Sequence, residues 1–250
     1  MFSGISYIFT LICYQPLLNL LVFVYNYAPW NDIGITIIII TLIIKLILYP
    51  FSKKTIEAQK AMNVLQPKVD ALKIKYKDNK EEQAKEMMKL YKEHKINPLS
   101  SCLPLLIQLP FLIAIYSVFS VGLQNGSLDL LYPFIINPGH INSLAFGFLD
   151  MAKPQILLAV LAGGAQFWQT KMMMAKRPEV KGDGSKDEDM AAIMSKQMLY
   201  MMPIMTVVIG WSLPSGLVFY WLLLTVFTAL QQLITLKNKK ELLVEVIDAK

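Results

Sequence analysis

Lys45 is the residue whose chemistry most needs explaining, because it lies inside an apolar stretch, residues 33–50, that is long enough to cross a bilayer as a helix. Thr41 precedes it by one helical turn. An ammonium group near the centre of a membrane helix costs about 3 kcal/mol on insertion scales. Such a lysine therefore needs a polar or hydrated environment, where its positive charge would attract acidic groups.

A second polar residue, Gln108, lies within another apolar stretch, residues 99–123. If the two stretches form antiparallel helices, Gln108 falls at nearly the same depth as Lys45. Two structural alternatives stay open: Lys45 can snorkel toward the membrane interface marked by the polar run Ser52-Lys53-Lys54, and a buried glutamine often only joins helices. Three polar side chains at one depth nevertheless favour a hydrated cavity inside a helix bundle.

The composition indicates a membrane protein with several spans. Of the 250 residues, 55% are hydrophobic and 17% are charged, and the net charge is +6; a soluble domain of this size could not bury so much apolar surface. The cysteines, Cys13 and Cys102, lie far apart in apolar surroundings, and His94 and His140 belong to different loops. These residues predict no disulfide framework, metal site or cofactor.

The predicted fold class is all-α: a polytopic membrane protein with five transmembrane helices, an N-terminal interfacial amphipathic helix and a cytoplasmic helical hairpin. The five spans are expected near residues 33–50, 99–123, 154–174, 197–213 and 214–236. The predicted division of the chain is residues 1–30 for the interfacial helix, 31–52 for the first transmembrane helix, 53–96 for the hairpin, 97–236 for transmembrane helices two to five, and 237–250 for a cytoplasmic tail.

The N-terminal segment carries a polar stripe on an otherwise apolar helix. Gln15, Asn19 and Asn26 fall at helical spacing on one side, a pattern that favours a helix lying in the membrane interface over one that spans the bilayer, although spanning stays open. No basic residue precedes the apolar run, so a secretory signal is not indicated.

The hairpin is predicted from heptad-like spacing and from a turn at Asp78-Asn79. The first arm places apolar residues on one seam: Ala58, Met62, Leu65, Val69, Leu72 and Tyr76. Residues 53–95 contain twelve lysines and seven acidic residues. This charge either only fixes the topology or also docks an acidic partner such as ribosomal RNA or anionic lipid.

The distribution of positive charge predicts the orientation in the membrane. Apart from Lys45 and Lys153, the lysines and arginines lie in the hairpin, beside the loop before residue 197, or in the tail. Cytoplasmic loops carry an excess of these residues. We therefore expect the hairpin and the C-terminus in the cytoplasm, and a polar cavity that opens inward.

Four segments, in this order, resemble the YidC family of membrane-protein insertases. They are IIIITLIIKLILYPFSKK, MNVLQPKVDALKIKY, NPLSSCLPLLIQLP, and WSLPSGLVFYW followed by QQL. No single motif is decisive, but the ordered set is specific. With no large domain before its first span, the chain is similar to the compact bacterial form of the family.

The resemblance implies a membrane-protein insertase and chaperone in the bacterial plasma (inner) membrane, multi-pass, with a cytoplasmic C-terminus. In such proteins, a hydrophilic groove open to the cytoplasm and to lipid receives nascent membrane proteins and releases their helices into the bilayer. The resemblance implies no enzyme activity, nucleotide hydrolysis, cofactor or DNA partner. The implied partners are nascent membrane proteins and the lipid bilayer, with the ribosome, targeting factors and the secretion channel as further candidates.

The resemblance also assigns site residues. Thr41, Lys45 and Gln108 match groove-lining positions, while Tyr220, Trp221 and Thr228 match positions associated with client contact. Lys45 stands where the family usually has arginine. Because a desolvated lysine can lose its proton, we predict a groove wet enough to keep Lys45 charged.

Two other functional classes stay open from the sequence alone. A secondary transporter could also use an intramembrane lysine site, although the spans show no convincing internal repeat. A purely structural membrane scaffold would need no cavity, and replacing Lys45 with leucine would then be harmless or stabilising.

Overall fold

The computed structural model describes residues 7–94, 96–97, 103–122, 128–173 and 186–237. Residues 238–250 of the predicted tail, and residues 98–102 at the predicted entrance of the second span, lie outside this part of the chain. The main α-helices are, in chain order, α1 (Gln15–Tyr27), α2 (Ile33–Ile47), α3 (Tyr49–Lys75), α4 (Lys80–Glu93), α5 (Leu103–Ser117), α6 (Ile156–Met173), α7 (Lys186–Gly210) and α8 (Ser215–Lys237).

The described residues form two compact units. The first unit draws on Met1–Tyr49, Leu105–Gln166 and Pro203–Phe227, and the second draws on Pro50–Pro104, Phe167–Met202 and Thr228–Lys250. The polar residues of the first predicted span, Thr41 and Lys45, therefore belong to the first unit, and the helical hairpin belongs to the second.

The boundary between α1 and α2 follows from local chain chemistry. The helical segment that starts at Tyr7 includes a π-helical turn, Thr10–Tyr14, and then α1. It stops where Ala28 adopts an extended backbone, because the residue before a proline disfavours the helical region. The side chain of Asp32 then caps α2 by accepting a hydrogen bond of 2.9 Å from the backbone N–H of Ile35.

The core of the first unit is built around one face of α2. Its isoleucines at four-three-four spacing are nearly or fully buried: Ile33, Ile37, Ile40 and Ile44. They share a hydrophobic cluster with side chains of α1, α5, α8 and the connection between α5 and α6, among them Leu18, Val22, Ala114, Val118, Ile141, Met151 and Leu217. A helix with such a stripe buries it against neighbouring apolar helices.

The predicted first span does not continue as one helix to Pro50. The structure ends α2 at Ile47, and Leu48 separates it from α3, whose second residue is Pro50. Proline has no N–H for the helical ladder and its ring clashes with the preceding turn, so a single straight helix through this point is disfavoured. Consequently Lys45 lies in the last turn of α2 and not in the interior of a longer helix.

The second unit contains a helical hairpin formed by α3 and α4. The turn lies where Asp78-Asn79 predicted it, and the side chain of Asn79 accepts a hydrogen bond of 3.1 Å from the backbone N–H of Glu82 at the start of α4. The arms run antiparallel, because Gln83 donates to the carbonyl of Lys73 at 3.0 Å and His94 lies 3.3 Å from the Lys68 ammonium. Which side of the membrane the hairpin occupies stays a prediction.

The hairpin buries part of the predicted seam. Leu65 and Val69 are almost fully buried, as is Ile56, which lies outside the seam. Between the arms, Tyr91 faces Asp70; burial raises the pKa of the Tyr91 hydroxyl, and the nearby carboxylate of Asp70 raises it further. Polar groups therefore make these contacts between the two arms, and the second arm buries none of its side chains.

One small β-hairpin departs from the predicted all-α fold. Strands Leu144–Ala145 and Leu149–Asp150 pair antiparallel, with Leu144 opposite Asp150. The turn between them includes Phe146 and Gly147, both with positive φ, and the N–H of Phe146 donates to the side chain of Asp32. The sequence predicted only a turn-rich connection here, because two-residue strands are too short to show alternation.

The exact number of transmembrane helices is not confirmed. By length and composition, two helical segments of the described chain can cross a membrane, Tyr7–Tyr27 and Ser215–Thr235. A third qualifies if Ile33–Ile47 and Tyr49–Lys75 are counted as one broken span, and the apolar segments Gln108–Ser120 and Leu199–Gly210 are shorter. The protein is mostly helical with several apolar helices, and the count of five stays a prediction.

Candidate functional site

Lys45 and Thr41 lie on one side of α2, one turn apart. The Lys45 side chain is half-buried in the last turn of the helix, at the negative end of the helix dipole. Thr41 is fully buried, and its hydroxyl donates a hydrogen bond of 2.6 Å to the carbonyl of Ile37. The C-terminal end of α2 therefore favours the positive charge of Lys45. The buried hydroxyl of Thr41 has its hydrogen-bond partner within the same helix.

Gln108 and Tyr220 are joined directly. The side-chain amide of Gln108 in α5 donates a hydrogen bond of 3.0 Å to the hydroxyl of Tyr220 in α8. Tyr220 is only 1% exposed, while Gln108 is half-buried. The resemblance placed these residues in two different roles, groove lining and client contact, and the structure makes them one hydrogen-bonded pair between two helices.

The three client-contact residues on α8 do not share one face. Trp221 and Thr228 are seven residues apart, so they lie on the same side of the helix, and both are half-buried. Tyr220 points into the core of the first unit. Trp221 belongs to the first unit and Thr228 to the second.

A second interhelical polar pair joins α6 and α7 and was not singled out from the sequence. Thr206, almost fully buried, donates a hydrogen bond to the side-chain oxygen of Gln166. Gly163 lies one turn before Gln166, and a Cβ there would meet the carbonyl of Pro203 at 3.0 Å. The sequence Gly163-Gly164 predicts that helices approach closely here. Gln166, one turn later, was the residue from which a polar contact between the helices could have been predicted.

The polar stripe of α1 packs against the connection between α5 and α6. Asn19 is almost fully buried; it donates to the carbonyl of Leu130 at 3.0 Å and accepts from the N–H of Tyr132 at 2.6 Å. Asn26 donates to the carbonyl of Ile136 at 2.7 Å. The asparagine side chains therefore supply hydrogen-bond partners to backbone carbonyls and an N–H of this connection. Whether α1 lies in the interface or spans the bilayer stays open.

The described residues contain no group of three or more His, Cys, Asp or Glu side chains arranged to hold a metal ion. The polar side chains set among the apolar helices of the first unit are Lys45, amides and hydroxyls, while its other charged residues lie at the helix cap or in the connection between α5 and α6: Asp32, Asp129, Asp150 and Lys153. Such an arrangement can attract an acidic group and can exchange hydrogen bonds with a passing chain.

Comparison with known proteins identifies the family. A family model described as the 60Kd inner membrane protein matches residues 23–242. The membrane protein insertase YidC of Fusobacterium nucleatum subsp. nucleatum is 35% identical over 208 residues, which are 83% of this chain and 88% of the relative. That of Clostridium tetani is 38% identical over 194 residues, covering 77% of this chain and 76% of the relative.

Some relatives are much longer than this chain. The YidC insertase of Wigglesworthia glossinidia brevipalpis is 33% identical over 227 residues, but the match covers only 37% of its length. A crystal structure of active YidC insertase, with its first transmembrane domain resolved, aligns with a TM-score of 0.57 and 25% identity, over 87% of this chain and 44% of that one. None of these matches favours a secondary transporter. The chain belongs to the YidC family of membrane-protein insertases, as its ordered motifs predicted.

Proposed function

We propose that the protein receives the polar tail of a nascent membrane protein in a hydrophilic groove open to the cytoplasm and to lipid, and releases the apolar helix of this client into the bilayer without nucleotide hydrolysis. The observation that carries the proposal is the half-buried ammonium group of Lys45 in the last turn of the otherwise apolar α2. A cation is costly at this place unless water or an anionic partner reaches it.

In this proposal the groove is formed at Thr41, Lys45 and Gln108: Lys45 and Gln108 are half-buried and can line it, while Thr41 is fully buried beneath its surface. Lys45 supplies the attraction for an acidic client tail, and the adjacent helix end favours its charge. Gln108 contributes its amide, which also holds the Tyr220 hydroxyl at 3.0 Å. A polar path into the bilayer shortens the hydrocarbon distance that the tail must cross, and thereby lowers the cost of moving it.

The client helix is expected to leave along α8. Trp221 and Thr228 lie on one side of this helix and are half-buried. Tyr220 would support this surface from behind through its bond to Gln108. Burial of the client helix in lipid provides the driving force, at about 25 cal/mol per Å² of apolar surface.

The same proposal places the protein in the bacterial plasma membrane with the hairpin and the C-terminus in the cytoplasm. There the lysine-rich hairpin would face the ribosome, targeting factors or the secretion channel. The support for this arrangement is the charge distribution, since positive residues are concentrated in cytoplasmic loops.

The test is insertion of a short client with an acidic tail by the purified protein in liposomes. Lys45→Ala should lower the insertion rate on the order of tenfold, as the loss of about 1.4 kcal/mol of attraction would do, while Lys45→Arg should keep it. Lys53→Ala, which removes an exposed lysine of α3, is the matched control and should insert at the parental rate.

A client with a neutral tail separates the charge effect from damage to the fold. If Lys45→Ala slows the acidic and the neutral client equally, the variant is generally defective and the charge is not the cause. Parental insertion of the acidic client by Lys45→Ala would show that the proposed role of the charge is wrong.

A further inference from the structure

The connection between α5 and α6 is fixed to one end of the first unit. Asn26, in the last turn of α1, donates a hydrogen bond of 2.7 Å to the carbonyl of Ile136. Asp32, which caps the start of α2, accepts a hydrogen bond from the N–H of Phe146. These bonds hold two separate parts of the connection at the level where α1 ends and α2 begins.

Large apolar side chains point outward at this level. Trp30, in the short turn between α1 and α2, is 90% exposed, Phe134 and Phe148 are each 77% exposed, and Ile136 is 74% exposed. We call these four residues the apolar rim. Tyr27, which ends α1, is also exposed and stacks on Phe23 with ring centroids 5.1 Å apart, so the rim is continuous with the outward apolar side of α1.

The local backbone conformation leaves the side chains of the apolar rim exposed. Trp30 has a φ of 57°, a conformation that non-glycine residues adopt rarely. In the β-hairpin, Phe146 contacts Phe219 with ring centroids 6.1 Å apart and is 42% exposed, while Phe148 is 77% exposed. One aromatic residue of this turn thus anchors it to the first unit, and the other is left for an external environment.

The charge of the connection points to a lipid surface. Residues 124–152 contain no lysine or arginine and only two acidic residues, Asp129 and Asp150. A connection facing bulk water would expose charge, and not phenylalanine and isoleucine. Aromatic side chains at the ends of membrane helices concentrate at the membrane–water interface, where apolar and polar surroundings meet.

We infer that the apolar rim lies in the headgroup region of the phospholipid bilayer and anchors the non-helical connection there. The rim then sets the depth of the first unit in the membrane, because it is tied through Asn26 and Asp32 to both α1 and α2. This inference requires only that the chain is a membrane protein and does not depend on the proposed groove.

The test is depth measurement by spin labelling of the purified protein in phosphatidylcholine–phosphatidylglycerol liposomes. Phe134→Cys and Phe148→Cys carry the label in a Cys13→Ser/Cys102→Ser background. His140→Cys is the matched control, since His140 is an exposed polar residue of the same connection. At the two rim positions, collisions with oxygen should exceed collisions with a water-soluble nickel chelate, and at residue 140 the order should be reversed.

Two outcomes would overturn the inference. If the rim labels meet the nickel chelate as often as the label at residue 140 does, the rim faces water. If they are shielded from both reagents, a protein surface covers the rim. A second measurement needs no cysteine: in the Trp168→Phe/Trp211→Phe/Trp221→Phe variant, which keeps Trp30 as its single tryptophan, brominated lipids should quench the fluorescence of Trp30, and the absence of quenching would contradict its placement.

Discussion

At the scale of single residues, the position of Lys45 within its helix matters as much as its charge. The break at Leu48 leaves the lysine in the last turn of α2, at the negative end of the helix dipole. The sequence predicted a lysine inside a longer helix, because the apolar composition of the stretch continues to Pro50. The shorter helix reduces the cost of the charge before any client arrives.

The hydrogen bond between Gln108 and Tyr220 leads to a stability prediction. Gln108→Leu and Tyr220→Phe should each lower thermal stability in detergent, because each leaves a buried polar group without its partner. A double-mutant cycle should give a coupling energy of about 0.6 kcal/mol, with an upper range of about 1.7, as for other interhelical bonds in membranes.

Thr225→Val provides the control for that cycle. The Thr225 hydroxyl also lies in α8 but bonds to the carbonyl of Trp221 in the same helix at 2.8 Å. Its effect should therefore add to that of Gln108→Leu without coupling. Equal coupling in both cycles would mean that the measured energy reflects general loosening of α8 and not this hydrogen bond.

At the scale of elements, the contact between α6 and α7 depends on one glycine and not on its neighbour. A Cβ on Gly163 would meet the carbonyl of Pro203 at 3.0 Å and also clash with Val207, whereas a Cβ on Gly164 has nothing within 4 Å. Gly163→Ala should destabilise the protein by about 1–3 kcal/mol, the usual cost of overpacking. Gly164→Ala should be neutral or stabilising by up to about 1 kcal/mol, from helix propensity.

Thermal unfolding of the two alanine variants in the same detergent checks this prediction. Because both substitutions add the same methyl group to the same helix, their difference isolates the helix contact. Similar melting temperatures for the two variants would show that α6 and α7 do not approach closely in the folded protein.

Local sequence patterns predicted elements whose partners lie nearby in the chain. The turn at Asp78-Asn79 is such a case, since Asn79 caps the helix that follows it. The polar stripe of α1 shows the limit of this approach. Its spacing was visible, but Asn19 bonds to Leu130 and Tyr132, more than 100 residues away, and nothing in the stripe itself identifies those partners. The same holds for Tyr220, whose bond to Gln108 crosses between helices.

At the scale of the whole molecule, the family could be predicted because the order of its motifs along the chain can be read without knowing the three-dimensional structure. The number of spans could not, because it depends on where helices break. Ile33–Ile47 is too short to qualify alone, and α5 is a run of 15 residues extended by the π-helical turn Val118–Gly122. Composition identifies apolar stretches but does not show which proline ends a helix: the helix breaks just before Pro50, whereas α5 continues through Pro110.

The topology gives the last prediction, and it concerns whether α5 crosses the membrane. The helical stretch from Leu103 to Gly122 is about 30 Å long at about 1.5 Å per residue, which matches the hydrocarbon core. It separates the lysine-rich hairpin from a connection without positive residues, so the two should face opposite sides. In intact cells, a membrane-impermeant maleimide should label His140→Cys, and should label Asp78→Cys only after permeabilisation, each in the Cys13→Ser/Cys102→Ser background. The reverse pattern would invert the orientation, and labelling of both residues from one side would mean that α5 does not cross.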